Sequence, residues 1–267
     1  GDELVLVAES GKLFLEGGDL RVVEVLLPVE GWRAVVRQQL ARAGGQHGLG
    51  EFAGEANVGH ATSYGEDPWT QRLGALATQL FGDEAQIYPV FNGTGANVIA
   101  LQSVLPRWGA VIAPHTAHIN RDEGGAPEKV GAIKILGVDT PDGKLTPDLA
   151  ATEAWGWGDP HRSQPLALSI SQVTELGTCY TPQEVRALAD FAHDNGMALH
   201  VDGSRLSNAA AHLNSTFREI TTDVGVDVLS LGGTKNGAMG AEAVVVLNPQ
   251  LATGIDYLRK TNMALGS

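Results

Sequence analysis

Short apolar runs alternate with stretches of helical periodicity through most of the chain. The runs at 86–91 (QIYPVF), 111–114 (VIAP), 132–138 (AIKILGV), 166–171 (LALSIS) and 227–231 (DVLSL) read as buried strands, as does the run opening at Ala198 (ALHV). Between them, Leu73, Leu76, Ala77 and Leu80 share one helical face. Thr70 is the expected cap of that helix and Gly82 its end. A second helix follows the turn Asn92-Gly-Thr-Gly-Ala-Asn97, and a third begins near Thr146 (TPDLAATEAW). Thr181-Pro-Gln-Glu184 is a capping box with proline at the first helical position, opening a helix that closes at Asn195-Gly196. Alternation of this kind predicts an α/β domain, a mostly parallel sheet flanked by helices.

Residues 1–54 read differently. LVLVAE, KLFLE and LRVVEVLLPV are β-rich runs separated by Ser10-Gly11 and Gly17-Gly18-Asp19, a pattern expected of a small antiparallel meander. A helix is expected over 32–43 and a linker over 43–50, and no chemistry is evident there. The division predicted is 1–54, a segment of separate role, and 55–267, the main domain. The chain begins with Gly1 rather than methionine, as a fragment or a processed protein does.

Composition narrows the function. A formal net charge of −13 argues against nucleic-acid and anionic-membrane partners. One cysteine, Cys179, excludes an internal disulfide framework and a cysteine-based zinc site. No apolar run approaches the ~20 residues of a membrane span, and the first residues are acidic rather than basic, so the expected compartment is the cytoplasm.

Chemistry gathers where strands end. Lys235 is the only lysine or arginine between Arg218 and Arg259 and lies among glycines at the mouth of a strand. A lysine so placed has room for a large ligand, and desolvation would make its amine a Schiff-base nucleophile; a surface lysine in a glycine-rich turn is the plainer reading of that stretch alone. Asp202 ends a buried strand and needs a cation or several donors to remain ionised, a protonated heterocyclic nitrogen being one partner and Arg205 another. Arg205 would otherwise suit a phenolate or a carboxylate. Asp202 and Lys235 are 33 positions apart, which in a parallel sheet places them at one edge on neighbouring elements. Gly93, Thr94 and Gly95 form a glycine-rich turn into a helix, able to hold a phosphate on backbone N–H groups and a hydroxyl. His115 and His118, with Asp122 and Glu123 close by, allow a metal site, but an imidazole stacked on a flat ligand is the better functional reading, and no metal is expected. Phosphate, planar ring, pyridinium nitrogen and aldehyde are the four handles of pyridoxal 5'-phosphate, and each has a counterpart here.

The stretches GHATSYGEDPWTQRL, NGTGANVIAL, AHINRDEGGAP, LSISQVTELGTCYTPQEVRAL, HVDGSRLSNA and LSLGGTKNGAMGAEAVV resemble the low-specificity L-threonine aldolases, in the β-eliminating-lyase group of fold-type I pyridoxal-phosphate enzymes. The resemblance implies a fold-type I large domain in which Lys235 binds the cofactor aldehyde, Asp202 pairs with the ring nitrogen and His118 stacks on the ring. Gly93, Thr94 and Gly95 would hold the phosphate. Arg205 would face the phenolate oxygen or the substrate carboxylate. It also implies a homo-oligomer, often a dimer of dimers, with the segment containing Tyr64 near a neighbouring subunit's site. The family's opening segment is not recognisable in residues 1–54. Where some members carry a histidine after the strand, this chain has Thr174 or Glu175. The family's small C-terminal domain, which supplies an arginine for the substrate carboxylate, has no counterpart before Ser267.

The activity implied is retro-aldol cleavage of L-threonine, L-allo-threonine and related β-hydroxy-α-amino acids to glycine and an aldehyde. Two alternatives are another pyridoxal-phosphate lyase, acting by β-elimination, and a catalytically incomplete cofactor-binding subunit.

Overall fold

A computed structural model describes residues 8–9, 12–13, 60–236, 238 and 240–266. The chain divides into two compact units, residues 1–57 and 58–267. In the first unit Ala8–Glu9 pairs antiparallel with Lys12–Leu13. The rest of the expected meander, the helix at 32–43 and the linker at 43–50 lie outside the described residues.

The second unit is built on seven strands: β1 (Gln86–Val90), β2 (Gly109–Pro114), β3 (Lys134–Val138), β4 (Gln164–Ser171), β5 (Ala198–Gly203), β6 (Val228–Gly232) and β7 (Glu242–Val246). They form one sheet in the order β1-β7-β6-β5-β4-β2-β3. β7 pairs antiparallel with both its neighbours, and every other pairing is parallel. Every residue of β2 and β5 is buried, as expected of inner strands covered on both faces.

Helices α1 (Pro68–Phe81), α2 (Gly93–Val104), α3 (His118–Arg121), α4 (Ala126–Lys129), α5 (Pro147–Ala151), α6 (Pro182–Asp194), α7 (Leu206–Leu213) and α8 (Ile255–Thr261) flank the sheet. α2 is buried without a break from Ala96 to Leu101, which explains its weak amphipathic pattern. It packs Ile99 and Ala100 with Val228, Val244 and Val246 of the sheet and Ile255 of α8. α6 has the expected capping box, with Thr181 accepting from the Glu184 N–H and Glu184 from the Thr181 N–H.

Two local expectations are corrected. α1 is capped by Asp67, not Thr70: the Asp67 carboxylate accepts the Trp69 and Thr70 N–H groups at 2.9 Å each. Pro68 then takes the first helical position, where its missing N–H costs nothing. The helix expected from Thr146 to about residue 155 is a single turn, Pro147–Ala151.

All strands but β7 end at the same sheet edge, so the loops after β1, β2, β4, β5 and β6 emerge together. This is the edge at which open α/β sheets place ligands. Gly232 permits a close approach here, since a Cβ on it would lie 2.7 Å from the Ser204 Cα.

Candidate functional site

Asp202 is the central group of this edge. It is the penultimate residue of β5 and is buried. Its Oδ1 accepts the Ser204 N–H at 3.0 Å and its Oδ2 accepts the Asn97 amide at 3.0 Å. Burial pushes this carboxyl upward, but the hydrogen bonds from Ser204 and Asn97 outweigh it, and Asp202 is held below the ordinary carboxylate value. The result is a buried, ionised anion at the sheet edge.

Beneath it runs a polar row that crosses three strands. His200 is fully buried, its Nδ1 2.8 Å from Ser169 Oγ on β4 and its Nε2 2.9 Å from Ser230 Oγ on β6. Burial pulls the His200 imidazole down to about 4, so the ring is neutral at pH 7 although Asp202 opposes the shift. A neutral imidazole donates through only one nitrogen, so one serine donates to the ring and the other accepts from it.

His118 opens α3 after β2. Its Nε2 lies 3.7 Å from Glu123 Oε1 and its Nδ1 3.9 Å from Asp122 Oδ2. Its backbone N–H donates to Glu175 Oε1 at 3.2 Å, and Glu175 also accepts the Ser171 hydroxyl at 2.9 Å. Thr174 is turned away into its own loop: its hydroxyl meets Thr178 Oγ1 at 2.7 Å and accepts the Thr178 N–H at 3.1 Å. Of the two residues considered after β4, Glu175 reaches His118.

Lys235 sits on the 3-10 turn Thr234–Asn236, just past β6 and exposed. Its charge is near enough to lower the Glu123 carboxyl. β5 and β6 are adjacent and parallel, with Asp202 opposite Ser230, so Asp202 and the turn carrying Lys235 lie at the same ends of neighbouring strands. Gly93, Thr94 and Gly95 form the first turn of α2. Asn92 caps this turn by accepting the Gly95 N–H at 2.7 Å, so that donor is already engaged. A Cβ on Gly93 would come within 3.8 Å of Ser204 Oγ and 3.7 Å of Glu242 Oε2. The space beside Gly93 is therefore bordered by a hydroxyl donor and by one carboxylate.

Arg205 precedes α7 and is half-buried, and no ion pair joins it to Asp202. Tyr64 lies elsewhere, on a cleft of about 690 Å³ lined also by Trp69, Tyr88, Phe91 and Arg259. His115 diverges from His118, with its Nε2 3.9 Å from Asp139. Among the described residues, no three His, Cys, Asp or Glu side chains converge as a metal site.

Asn97 and His200 complete the edge beyond the residues singled out in the sequence, and Glu123, read there only beside the histidines, faces inward. His200 had a signal, a histidine two positions before Asp202 in an otherwise apolar run. Asn97 had none, because it lies within a buried helix. Buried polar atoms without a partner also collect here: Asn97 Oδ1, Glu123 Oε2 and Asn236 Oδ1. Such atoms are costly unless a ligand satisfies them.

A buried anion, a lysine on the turn after the next strand and a half-buried imidazole lie at the carboxyl edge of a mostly parallel sheet, an architecture of the fold-type I class. The beta-eliminating lyase family profile matches residues 44–266, and the chain belongs to that family. It is 41% identical over 214 residues to the low specificity L-threonine aldolase of Pseudomonas aeruginosa, covering 80% of this chain and 62% of that one. The solved threonine aldolase of Leishmania major superposes with a TM-score of 0.74 at 31% identity, over 81% of this chain and 63% of that one. Cystathionine gamma synthase of Xanthomonas oryzae shares the fold alone, with a TM-score of 0.52 at 20% identity, over 73% of this chain and 46% of that one. The chain thus spans about three fifths of the length of its threonine aldolase relatives.

Proposed function

We propose that residues 55–267 form the cofactor-binding domain of a pyridoxal-phosphate enzyme that cleaves L-threonine, L-allo-threonine and related β-hydroxy-α-amino acids to glycine and an aldehyde. The observation that carries this reading is the ionised, buried Asp202 on β5 beside the strand that presents Lys235. An anion kept ionised without a paired cation suits a protonated ring nitrogen. The unpartnered polar atoms around it and the open first turn of α2 are the further points of fit.

Bound there, pyridoxal phosphate supplies an electron sink for the pair left when the Cα–Cβ bond breaks. Asp202 keeps the ring nitrogen protonated, the electrostatic contribution of greatest weight. Lys235 offers the amine that holds the aldehyde. His118 stacks on the ring. Gly93, Thr94 and the Ser204 hydroxyl bind the phosphate beside Glu242, with Gly95, whose N–H is held by Asn92, shaping the turn. Arg205 faces the phenolate oxygen or the substrate carboxylate. Glu175 stands where a proton can be taken or returned. The chain works as a homo-oligomer, a dimer or tetramer, in the cytoplasm, with Tyr64 facing a neighbouring subunit.

The family description favours one second reading, β-elimination in the same site, because the two reactions differ in the base and the carboxylate clamp rather than in the cofactor cradle. Incubating the loaded protein with threonine separates them. Glycine and acetaldehyde support the aldolase reading, and a keto acid supports elimination. Loaded protein that releases none of these leaves a cofactor-binding subunit and overturns the aldolase reading.

A further inference from the structure

Glu123 is the most unusual side chain of this edge. Its carboxylate has no exposed surface. Oε1 accepts the Asn97 amide at 2.8 Å and lies 3.7 Å from His118 Nε2, while Oε2 is buried and unpartnered. Gly124 and Gly125, at φ +61° and +74°, give the turn that follows it. A buried carboxylate with one good donor and one orphaned oxygen costs stability, and a hydrophobic residue of similar volume would not. Packing alone does not account for it.

Resting on the proposed function, we infer that Glu123 is a positioning residue: its carboxylate, joined to Asp202 through the single Nδ2 of Asn97 and set against the His118 imidazole, orients the two groups that hold the cofactor ring.

The geometry shows how this works. Asn97 Nδ2 carries two N–H groups and donates to Asp202 Oδ2 at 3.0 Å and to Glu123 Oε1 at 2.8 Å, so one amide bridges the two carboxylates. An ionised Glu123 tightens this bridge and attracts the His118 ring, 3.7 Å away. A protonated Glu123 accepts the amide more weakly and loosens the bridge to Asp202. The titratable and charged groups facing Glu123 are His118 from α3, Asp202 from β5 and Lys235 from the turn after β6, with Asp122 on the other nitrogen of His118. Burial pushes the Glu123 carboxyl up and Asp202 adds to it, while Asn97 and Lys235 pull it down, leaving it at about 7. The group therefore changes charge near neutral pH.

The test is Glu123→Gln in the cofactor-loaded protein, followed by visible absorbance against pH. Wild type is expected to show a step as Glu123 changes charge. The variant is expected to bind cofactor with the step gone. The same step in both proteins overturns the role. An infrared titration of the cofactor-free protein gives an independent readout. A protonated-carboxyl band that disappears around pH 7 in wild type and is absent from the variant supports the assignment, and wild type without that band overturns it. If Glu123→Gln does not fold, Glu123→Asp shortens the reach to Asn97 and should displace the step; an unmoved step in Glu123→Asp also overturns it. Wild type that takes up no pyridoxal phosphate removes the proposed function, and the infrared titration then decides the Glu123 assignment by itself.

Discussion

Glu175 holds the backbone of His118: its Oε1 accepts the His118 N–H at 3.2 Å, joining the loop after β4 to the loop after β2. The same oxygen accepts the Ser171 hydroxyl. An intramolecular hydrogen bond contributes roughly 0.5–1.5 kcal/mol. Glu175→Ala should weaken pyridoxal phosphate binding by about 10-fold through loss of His118 placement, an effect of about 1.4 kcal/mol. Titration of the cofactor's absorbance measures it. Unchanged affinity would mean that this bond does not govern the stacking residue.

Asp202→Asn keeps the shape of the side chain and removes its charge. The protein should fold and retain some cofactor. Glycine release from threonine should fall about 100-fold or more, the scale of losing one preorganised electrostatic partner. Full activity in Asp202→Asn would exclude a role at the ring nitrogen.

His200 makes stability depend on pH in a defined direction. Its folded value is depressed from 6.5 to about 4 by burial. The unfolded chain binds a proton there at a pH where the folded chain does not. Stability from this group is therefore complete above pH 6.5 and is lost progressively as pH falls toward 4. The loss amounts to about 3 kcal/mol at 1.36 kcal/mol per unit. Melting curves of the cofactor-free protein between these limits should show a falling midpoint, and His200→Asn should reduce the slope. Equal slopes would place the acid sensitivity elsewhere.

Thr181 closes the capping box of α6. Thr181→Ala should cost about 1 kcal/mol and lower the melting temperature by about 2–4 °C. Activity per folded molecule should be unaffected, because the cap lies outside the site.

The elements with local causes were legible in the sequence. Apolar runs marked six of the seven strands of the main sheet, β7 being unread, and Thr181-Pro-Gln-Glu184 marked α6 because its signal lies within four consecutive residues. The start of α1 was misplaced although its signal was equally local: Asp67-Pro68 outcompetes Thr70 because aspartate reaches two N–H groups and proline suits the first turn. Asp202 and Lys235 could be expected at one edge because the right-handed parallel connection fixes which ends coincide. The links around Asn97 could not be read. Its partners Glu123 and Asp202 lie 26 and 105 positions away, and no local pattern encodes an amide pointing between two carboxylates. The choice between Thr174 and Glu175 was similarly hidden, since it depends on Thr178 folding back on Thr174.

Borohydride reduction of the protein loaded with pyridoxal phosphate, followed by peptide mass mapping, tests the central claim most directly. The account predicts one adduct, on Lys235, with none in Lys235→Ala. An adduct spread over surface lysines, or one that persists in Lys235→Ala, would contradict it.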